Sequence, residues 1–335
     1  MDHPMPSPEH RHPTEADLAA TRFKHPTESD AETIARVWND SRGDLPTQKT
    51  ITAREVRAET FEDEDYDPEG AWIAFDGDEP IGYADAFVDK VRLEYGKNDG
   101  YVGIEVVHAA RGSGLERDLL DKALASLRSR GIQEAQSWSH AHEEWKNSLM
   151  LGAGFKEVRR FYLMNRRRTG PVDKPTFPDG TDLEKIALNG AQDRDLQTLV
   201  DARNEAFVDH FNFSPSTVAR WKSGIESSEE VLSVTFARDR AKVVGFVVSE
   251  DRVAYSREKG FREGWVATLG VVKSHRRCGL GRALLLESIG WLSDRGVEMI
   301  RLGVDAENSK ALGLYTSVGF EVESESLVLV KNLKD

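Results

Sequence analysis

The chain has 335 residues, of which 39% are hydrophobic and 31% charged, and its formal net charge is −13. The length favours two domains, and the composition is that of a globular protein with sizeable apolar cores. The acidic balance argues against nucleic acid as a main partner, because phosphate backbones are bound by clustered Lys and Arg.

The N-terminal segment is rich in proline and histidine and lacks the basic-then-apolar order of a secretion signal. We predict that residues 1–21 form a disordered tail. No apolar run approaches the roughly 20 residues needed to cross a bilayer, so no membrane partner is expected. The single cysteine, Cys278, cannot form an intrachain disulfide, which favours a reducing, cytoplasmic location.

Two stretches of the chain match each other without a gap. VVHAARGSGLERDLL, which begins at Val106, corresponds to VVKSHRRCGLGRALL, which begins at Val271, at an offset of 165 residues. One offset held over about fifty positions indicates two copies of one unit. We predict two tandem domains, 22–167 and 182–335, and call them the first and the second copy. The proline-containing stretch between them, 168–181, has the composition of a linker.

Both copies predict an α/β (α+β) fold with one mixed β-sheet flanked by helices. In the second copy, hydrophobic periodicity and turn residues predict helices over 193–205, 216–223, 279–296 and 309–318. Strands are predicted over 232–238, 243–250, 265–272, 299–304 and 327–331. The first copy follows the same order.

A glycine loop, Arg276-Arg277-Cys278-Gly279-Leu280-Gly281-Arg282, joins a predicted strand to a predicted helix. Glycines let backbone N–H groups approach a ligand, and a helix N-terminus attracts negative charge. The loop therefore indicates a phosphate or pyrophosphate site, with a tight turn that binds nothing as the alternative. It matches neither the dinucleotide-binding fingerprint nor the Walker loop.

This loop resembles the acyl-CoA signature Gln/Arg-x-x-Gly-x-Gly/Ala of the GNAT acyltransferase superfamily. Downstream, Asn308-x-x-Ala311-x-x-Leu314-Tyr315-x-x-x-Gly319-Phe320 is similar to the family's second motif. The resemblance covers both copies and is stronger in the second. The layout looks like that of tandem GNAT proteins, in which the second copy keeps the better site.

The resemblance implies acetyl-CoA as cosubstrate, no metal, and direct transfer of the acetyl group to a primary amine of a small-molecule acceptor. It implies that the pantetheine arm pairs with the strand backbone as an added strand, that the N–H of Val271 polarises the thioester carbonyl, and that Tyr315 protonates the departing thiolate. The implied cofactor-binding residues are Leu269, Val271, Val272, Arg276, Arg277, Gly279, Gly281, Arg282 and Asn308.

The proton of the amine needs an acceptor, and the sequence offers several. Asp305 is our catalytic candidate, with a helix cap as its alternative role; Glu307, Glu250-Asp251 and Asp209-His210 are the other candidates. By analogy with the family, the acceptor contacts are Phe207, His210, Phe211 and Phe213, for which core packing is an equal alternative.

The first copy departs from the signature at three positions. At the 165-residue offset, Gly281 corresponds to Glu116, Asn308 to Glu143 and Tyr315 to Met150. A carboxylate repels a pyrophosphate, and methionine has no proton to donate. We expect the first copy to be a structural or substrate-shaping domain; binding of a second CoA is the alternative.

The leading interpretation is an acetyl-CoA-dependent N-acyltransferase that acts in the second copy, as a monomer or homodimer. The alternative is a non-catalytic acyl-CoA sensor. Retention of Tyr315 in an otherwise intact motif favours the enzyme. The sequence does not name the amine.

Overall fold

The computed structural model describes residues 21–45, 50–168 and 170–334. The predicted N-terminal tail lies outside the described residues, apart from Thr21, at which the first strand begins. Within the described ranges, no helix is both long and apolar enough to cross a membrane.

Strands and helices occur in the same order in the two copies. The strands are β1 Thr21–Lys24, β2 Ala71–Asp76, β3 Glu79–Phe87, β4 Asp99–Val106, β5 Glu134–His140, β6 Lys156–Arg167, β7 Thr181–Ala187, β8 Val231–Asp239, β9 Lys242–Asp251, β10 Glu263–Val271, β11 Met299–Asp305 and β12 Glu321–Asn332. The helices are α1 Ala31–Arg42, α2 Ala53–Val56, α3 Lys90–Glu94, α4 Leu115–Ser129, α5 Glu144–Gly152, α6 Asp193–Phe207, α7 Val218–Ser227, α8 Val253–Lys259, α9 Leu280–Asp294 and α10 Ser309–Ser317.

The strands of the described residues form one continuous mixed sheet, in the order β1-β2-β3-β4-β5-β12-β6-β11-β10-β9-β8-β7. The last strand of each copy pairs with the sheet of the other copy: β6 with β11, and β12 with β5. At the centre, β6 and β12 pair with each other in antiparallel orientation. Neither predicted span, 22–167 or 182–335, therefore completes its sheet alone.

This exchange follows a pseudo-two-fold axis normal to the sheet. Phe161 lies opposite Ser326, its counterpart at the 165-residue offset. Residues directly opposed in an antiparallel pair point to the same face. Equivalent helices of the two copies consequently cover the same face of the sheet.

Helices cover both faces of the sheet because the strands alternate their apolar side chains. In β2, Ile73 and Phe75 pack under α1, whereas Ala74 packs under α4. In the second copy, α6 and α7 correspond to α1 and α2, and α9 corresponds to α4. The exchanged strands join the opposite cores: Leu329 of β12 lies in the core around α4, and Met164 of β6 in the core around α9.

Two parallel strands diverge in each copy. In the second copy, β10 and β11 pair over Glu263–Trp265 and Met299–Arg301. A bulge between Val266 and Thr268 bends β10 where the two strands separate. The carboxyl ends of β10 and β11 thus border a cleft, with α9 and α10 beginning beside it. Strands β4 and β5 pair over an equivalent short stretch in the first copy.

The predicted fold class and the predicted elements of the second copy are confirmed, with differences in their bounds. Strand β12 begins at Glu321, six residues before the predicted start, because its first residues pair with β6. No prediction covered helix α8 or strand β7, and β7 begins at Thr181, the last residue of the predicted linker.

The exchange predicts that the two copies unfold together. Leu329 is 0% exposed, and its truncation to alanine should cost about 2–5 kcal/mol. Because β12 also pairs with β6, we expect Leu329→Ala to accelerate hydrogen exchange by a similar factor in α4 and in α9, measured by mass spectrometry under native conditions.

Val322→Ala is the matched control on the same strand. Val322 is 50% exposed, so its truncation should change stability by less than about 0.5 kcal/mol. Faster exchange of α4 alone in Leu329→Ala would contradict the coupling of the copies.

Candidate active site

The glycine loop follows β10 and leads into α9. Gly279 precedes the helix with φ of +90°, a conformation that favours glycine. Arg277 also has a positive φ, +68°, which costs a non-glycine residue about 1–3 kcal/mol. The equivalent residue of the first copy is Gly112. The second copy thus keeps an exposed arginine at a position where glycine would be less strained.

Arg276 anchors the loop with its side chain. Its Nε donates to the carbonyl of Val271 at 3.0 Å, and its guanidinium bonds the carbonyl of Ala206 and both carboxylate oxygens of Asp209, at 2.8, 2.6 and 2.9 Å. It holds the pKa of Asp209 at about 2. The guanidinium predicted to lie along a pyrophosphate is therefore committed to the end of α6, which leaves only the backbone of Arg276 for that role.

The first copy repeats this anchor. Arg111 donates to the carbonyls of Val106 and Ser41, the counterparts of Val271 and Ala206. An arginine that makes the same bonds in both copies has a structural reason to be there. The other two cations of the loop are different: Arg277 is exposed, and Arg282 is exposed with one ion pair to Asp173 at 3.2 Å.

Gly281 lies where β10, α9 and α10 converge. A Cβ atom at Gly281 would lie 3.7 Å from Leu314 of α10 and 3.8 Å from Val271 of β10, which is ordinary contact. The position accommodates alanine, but a longer side chain extends toward the loop. In the first copy, Glu116 at this position accepts a hydrogen bond from the N–H of Gly112 at 2.9 Å. A carboxylate there occupies a loop N–H that an anionic ligand would use.

The backbone of β10 faces both β9 and the cleft. The N–H of Val272 donates to Val244 beside β9 at 3.0 Å. Because N–H groups alternate in direction along a strand, the N–H of Val271 is directed toward the cleft. Leu269, two residues earlier, has the same orientation. The structure therefore places these predicted backbone groups at the cleft edge.

Tyr315 stands on α10, one residue after Leu314. It is 8% exposed, and its ring centroid lies 6.1 Å from that of Phe320. Burial raises the pKa of Tyr315 to about 12, so the phenol is protonated throughout the neutral range. Leu314, the residue before Tyr315, lies beside Gly281, and the catalytic role of Tyr315 stays a prediction.

Asn308 and Asp305 both make local hydrogen bonds. The Oδ1 of Asn308 accepts from the N–H of Ala311 at 3.1 Å and caps α10. The Oδ1 of Asp305 accepts from the N–H of Glu307 at 3.0 Å. Asp305 also forms an ion pair with Arg159, at 3.3 Å between Oδ2 and Nε. Arg159 belongs to β6 of the first copy, so sequence reasoning within the second copy missed this partner.

The loop between α6 and α7 lies against this end of the cleft. The guanidinium of Arg159 stacks at 4.4 Å over the ring of Phe211. His210 packs on Phe207, with ring centroids 4.4 Å apart. Burial lowers the pKa of His210, and Arg276 adds to this lowering, so the imidazole is neutral at pH 7.

The four predicted acceptor contacts separate into two pairs. Phe207 packs against the core beside Phe246, and Phe213 packs against Tyr95 of the first copy. His210 and Phe211 are the two that lie near Asp305 and Arg159. The signal that could have added Arg159 to the site was the strand pairing of β6 with β11, which no pattern within one copy encodes.

The corresponding cleft of the first copy contains a buried ion network. Lys146 of α5 is 1% exposed, and its Nζ lies 3.5 Å from Oε1 of Glu105 on β4. Arg42 donates to the same oxygen at 2.8 Å. Burial acts to raise the pKa of Glu105, but Lys146 and Arg42 outweigh burial and lower it overall. The counterparts of Glu105 and Lys146 in the second copy are the small residues Gly270 and Ala311.

The other predicted departures in the first copy are also engaged within the protein. Glu143 accepts from the N–H of His140 at 2.7 Å. Met150 is 0% exposed and lies in the core around α4. The ring of His140 accepts from the N–H of His142 at 3.2 Å. The two copies thus share a backbone but differ in what fills the cleft.

Comparison with known proteins agrees with this geometry. The family model described as "Acetyltransferase (GNAT) family" matches residues 34–147 and 196–320. Mycothiol acetyltransferase of Thermobispora bispora is 31% identical over 257 residues, which cover 76% of this chain and 81% of that protein. The protein of the same name from Catenulispora acidiphila is 29% identical over 328 residues, which cover 95% of this chain and 96% of that protein.

Solved structures have the same fold. A GCN5-related N-acetyltransferase from Sphaerobacter thermophilus has a TM-score of 0.69 at 24% identity, and covers 94% of this chain and 96% of its own. A tandem GNAT protein from the clavulanic acid biosynthesis pathway has a TM-score of 0.73 at 13% identity, with coverages of 93% and 98%. With one family match in each copy, the chain is an acetyltransferase that belongs to the GNAT family and contains the family's domain twice.

Proposed function

We propose that the second copy transfers the acetyl group of acetyl-CoA directly to a primary amine of a small-molecule acceptor. The observation that carries this proposal is the contrast between the copies. The second copy keeps the glycine loop, a cleft bordered by Gly270 and Ala311, and a buried phenol beside them. The first copy has a buried ion network across the equivalent positions.

The residues present fit the cofactor on which the family relies. Arg277 and Arg282 supply exposed positive charge beside the N-terminus of α9, and Gly281 leaves the loop N–H groups accessible. The cleft-facing backbone of Leu269 and Val271 offers strand-like hydrogen bonds. Acetyl-CoA would supply the activated acetyl thioester. Gly279 and the amide of Asn308 complete the proposed binding set, whereas the backbone of Val272, also predicted to contact the cofactor, is bonded to Val244 and His275.

Three groups of the chain would carry the chemistry. The N–H of Val271 would polarise the reacting carbonyl and stabilise negative charge that develops there. Tyr315, protonated at neutral pH, would donate its proton to the leaving thiolate. Asp305 remains our candidate for receiving the proton of the amine through water, with Arg159 fixing its carboxylate.

His210 is the second candidate for the base. Its imidazole is neutral at pH 7 and thus able to accept a proton, whereas the carboxylate of Asp305 is neutralised in part by Arg159. The pKa of His210 lies below its ordinary value, so the pH dependence of the rate tests this assignment. A rate that falls as the pH drops through the range below about 6.5 supports His210 as the base, and a rate that does not fall there contradicts it.

The proposal is tested with an acceptor screen in which release of the CoA thiol is measured. The relatives' name, mycothiol acetyltransferase, puts the de-acetylated form of mycothiol first in the panel, followed by amino sugars, amino acid amides and polyamines. Amine-dependent release supports the transferase. Tight binding of acetyl-CoA with no amine-dependent release across the panel supports the acyl-CoA sensor instead.

Gly281→Glu introduces the residue of the first copy into the second. Its carboxylate should compete for the loop N–H groups and repel the pyrophosphate, which weakens acetyl-CoA binding by roughly five- to a thousand-fold. Gly281→Ala is the control, because its Cβ meets only ordinary contacts and binding should be retained. Isothermal titration of both variants decides the matter; unchanged affinity in Gly281→Glu would place the pyrophosphate elsewhere.

Tyr315→Phe removes the proposed proton donor and keeps the ring in place. We expect kcat to fall by about 100-fold or more, with the Kd for acetyl-CoA changed by less than about twofold, since the ring packing on Phe320 is preserved. Steady-state kinetics and titration measure the two quantities. Full turnover of the variant at neutral pH would refute the assignment of Tyr315 as the acid.

The ion network of the first copy predicts the binding stoichiometry. Glu105, Lys146 and Arg42 bridge the equivalent cleft, and Glu116 occupies its loop N–H. Titration with acetyl-CoA should therefore saturate at about one equivalent per chain, because each buried charge would lose its partner if the network opened. Two equivalents of similar affinity would show that the first copy also binds the cofactor.

A further inference from the structure

The loop between α6 and α7, residues 208–217, is fastened to the first copy at Asn212. This asparagine has φ of +56°, a conformation that a non-glycine residue adopts at a cost. Its carbonyl accepts from Arg92 at 3.0 Å and its Oδ1 from the same guanidinium at 2.8 Å. Its Nδ2 donates to Oε1 of Gln136 at 2.9 Å. One residue thus makes three hydrogen bonds with the other copy.

These bonds close a ring of four side chains. Arg92 donates from Nε to Oδ1 of Asp99 at 3.0 Å, and Gln136 donates from Nε2 to Oδ2 of Asp99 at 2.8 Å. Arg92, Asp99 and Gln136 are 3%, 5% and 3% exposed. Because each of the three is buried and bonded to the next, the ring presents donors and an acceptor to Asn212 in a fixed geometry.

A second tie flanks the loop on its α7 side. Arg220 forms ion pairs with two carboxylates of the first copy, Asp89 at 2.6 Å and Asp65 at 2.7 Å. Phe213, also on this side of Asn212, meets Tyr95 edge-on, with ring centroids 5.8 Å apart. From Asn212 to α7, the loop is therefore held by residues outside its own copy.

The fastened loop carries the two side chains that lie beside the proposed acceptor end of the cleft. Phe211, next to Asn212, lies under Arg159, which pairs with Asp305. His210 and Asp209 follow toward Arg276 and the glycine loop. A shift of Asn212 would consequently move His210 and Phe211 relative to Asp305, while Arg276 of the glycine loop keeps its bonds to the carbonyls of Val271 and Ala206, which lie outside 208–217.

We propose that Arg92, Asp99 and Gln136 of the first copy, which form the ring with Asn212, position the acceptor loop of the second copy, residues 208–217. The first copy, whose own cleft is bridged by its side chains, thereby holds the loop that borders the acceptor end of the second copy's cleft. Asn212 and the ring are positioning residues, since they act through His210 and Phe211. The proposal rests on the proposed function for the statement that this loop faces the acceptor.

The first test needs no amine. In Asn212→Gly, glycine accepts the positive φ without strain, so the variant removes the side-chain bonds alone. We expect the backbone amides of 208–217 to exchange with deuterium about 10-fold faster or more. Loss of local bonds worth about 1.4 kcal/mol raises the population of the open loop tenfold. The amides of α9 should keep their rates. Unchanged exchange in 208–217 would overturn the proposal.

The matched controls separate the ring from general damage to either copy. Asn212→Asp keeps an acceptor for Arg92 and should recover most of the protection. Arg130→Met removes another half-buried arginine of the first copy, which donates to Ala86 at 2.6 Å, away from the loop. Its exchange in 208–217 should equal that of the parent; if it rises as in Asn212→Gly, the effect is global and the positioning role fails.

The second test is kinetic and uses de-acetylated mycothiol as the probe amine. Asn212→Gly should raise KM for the amine about 10-fold, and the Kd for acetyl-CoA should stay within about twofold of the parent. A parallel rise in both constants would overturn the proposal. If the probe is not a substrate of the parent protein, an amine found in the acceptor screen takes its place; if the screen finds none, the proposed function fails, whereas the exchange result still decides the positioning role.

Discussion

The antiparallel pairing of β6 with β12 is the interaction on which the rest of the structure depends. It joins two six-stranded halves into one sheet and sends each closing strand into the opposite copy. Met164 of the first copy then packs in the core around α9 of the second, and Leu329 of the second copy packs in the core around α4 of the first. The neighbouring pairing of β6 with β11 brings Arg159 to Asp305, so this ion pair of the candidate site exists only because the strands are exchanged.

The two copies share a fold and differ at the cleft through a few substitutions. Glu105 and Lys146 stand where the second copy has Gly270 and Ala311. Two charged side chains bridge a gap that two small residues leave open, and Arg42 completes the balance of charge. The exchange of strands is unaffected, because the substitutions lie on β4 and α5 rather than on β6 or β12. The first copy could thus lose its cleft and keep its place in the sheet.

Comparison of the two copies also separates residues that support the fold from residues that are free to contact a ligand. Arg276 belongs to the acyl-CoA signature, yet Arg111 makes equivalent bonds in the copy whose cleft is occupied. The shared arginine ties the strand end to the preceding helix. Arg277, which is exposed and held at a positive φ, is present in the second copy alone. Its counterpart in the first copy is Gly112. Because glycine would adopt this φ with less strain, the backbone conformation does not explain the presence of Arg277.

The sequence by itself determined the fold class, the repeat and most elements of the second copy, because these follow from local periodicity and motif spacing. It did not predict the exchange of β6 and β12, since the two strands have equivalent patterns and either sheet edge could accept either strand. Arg159 at Asp305, Asn212 on the Arg92 ring and the Glu105–Lys146 bridge all join residues distant in the chain. Only the tertiary structure decided these contacts, because burial and pairing between copies, rather than any local preference, bring the partners together.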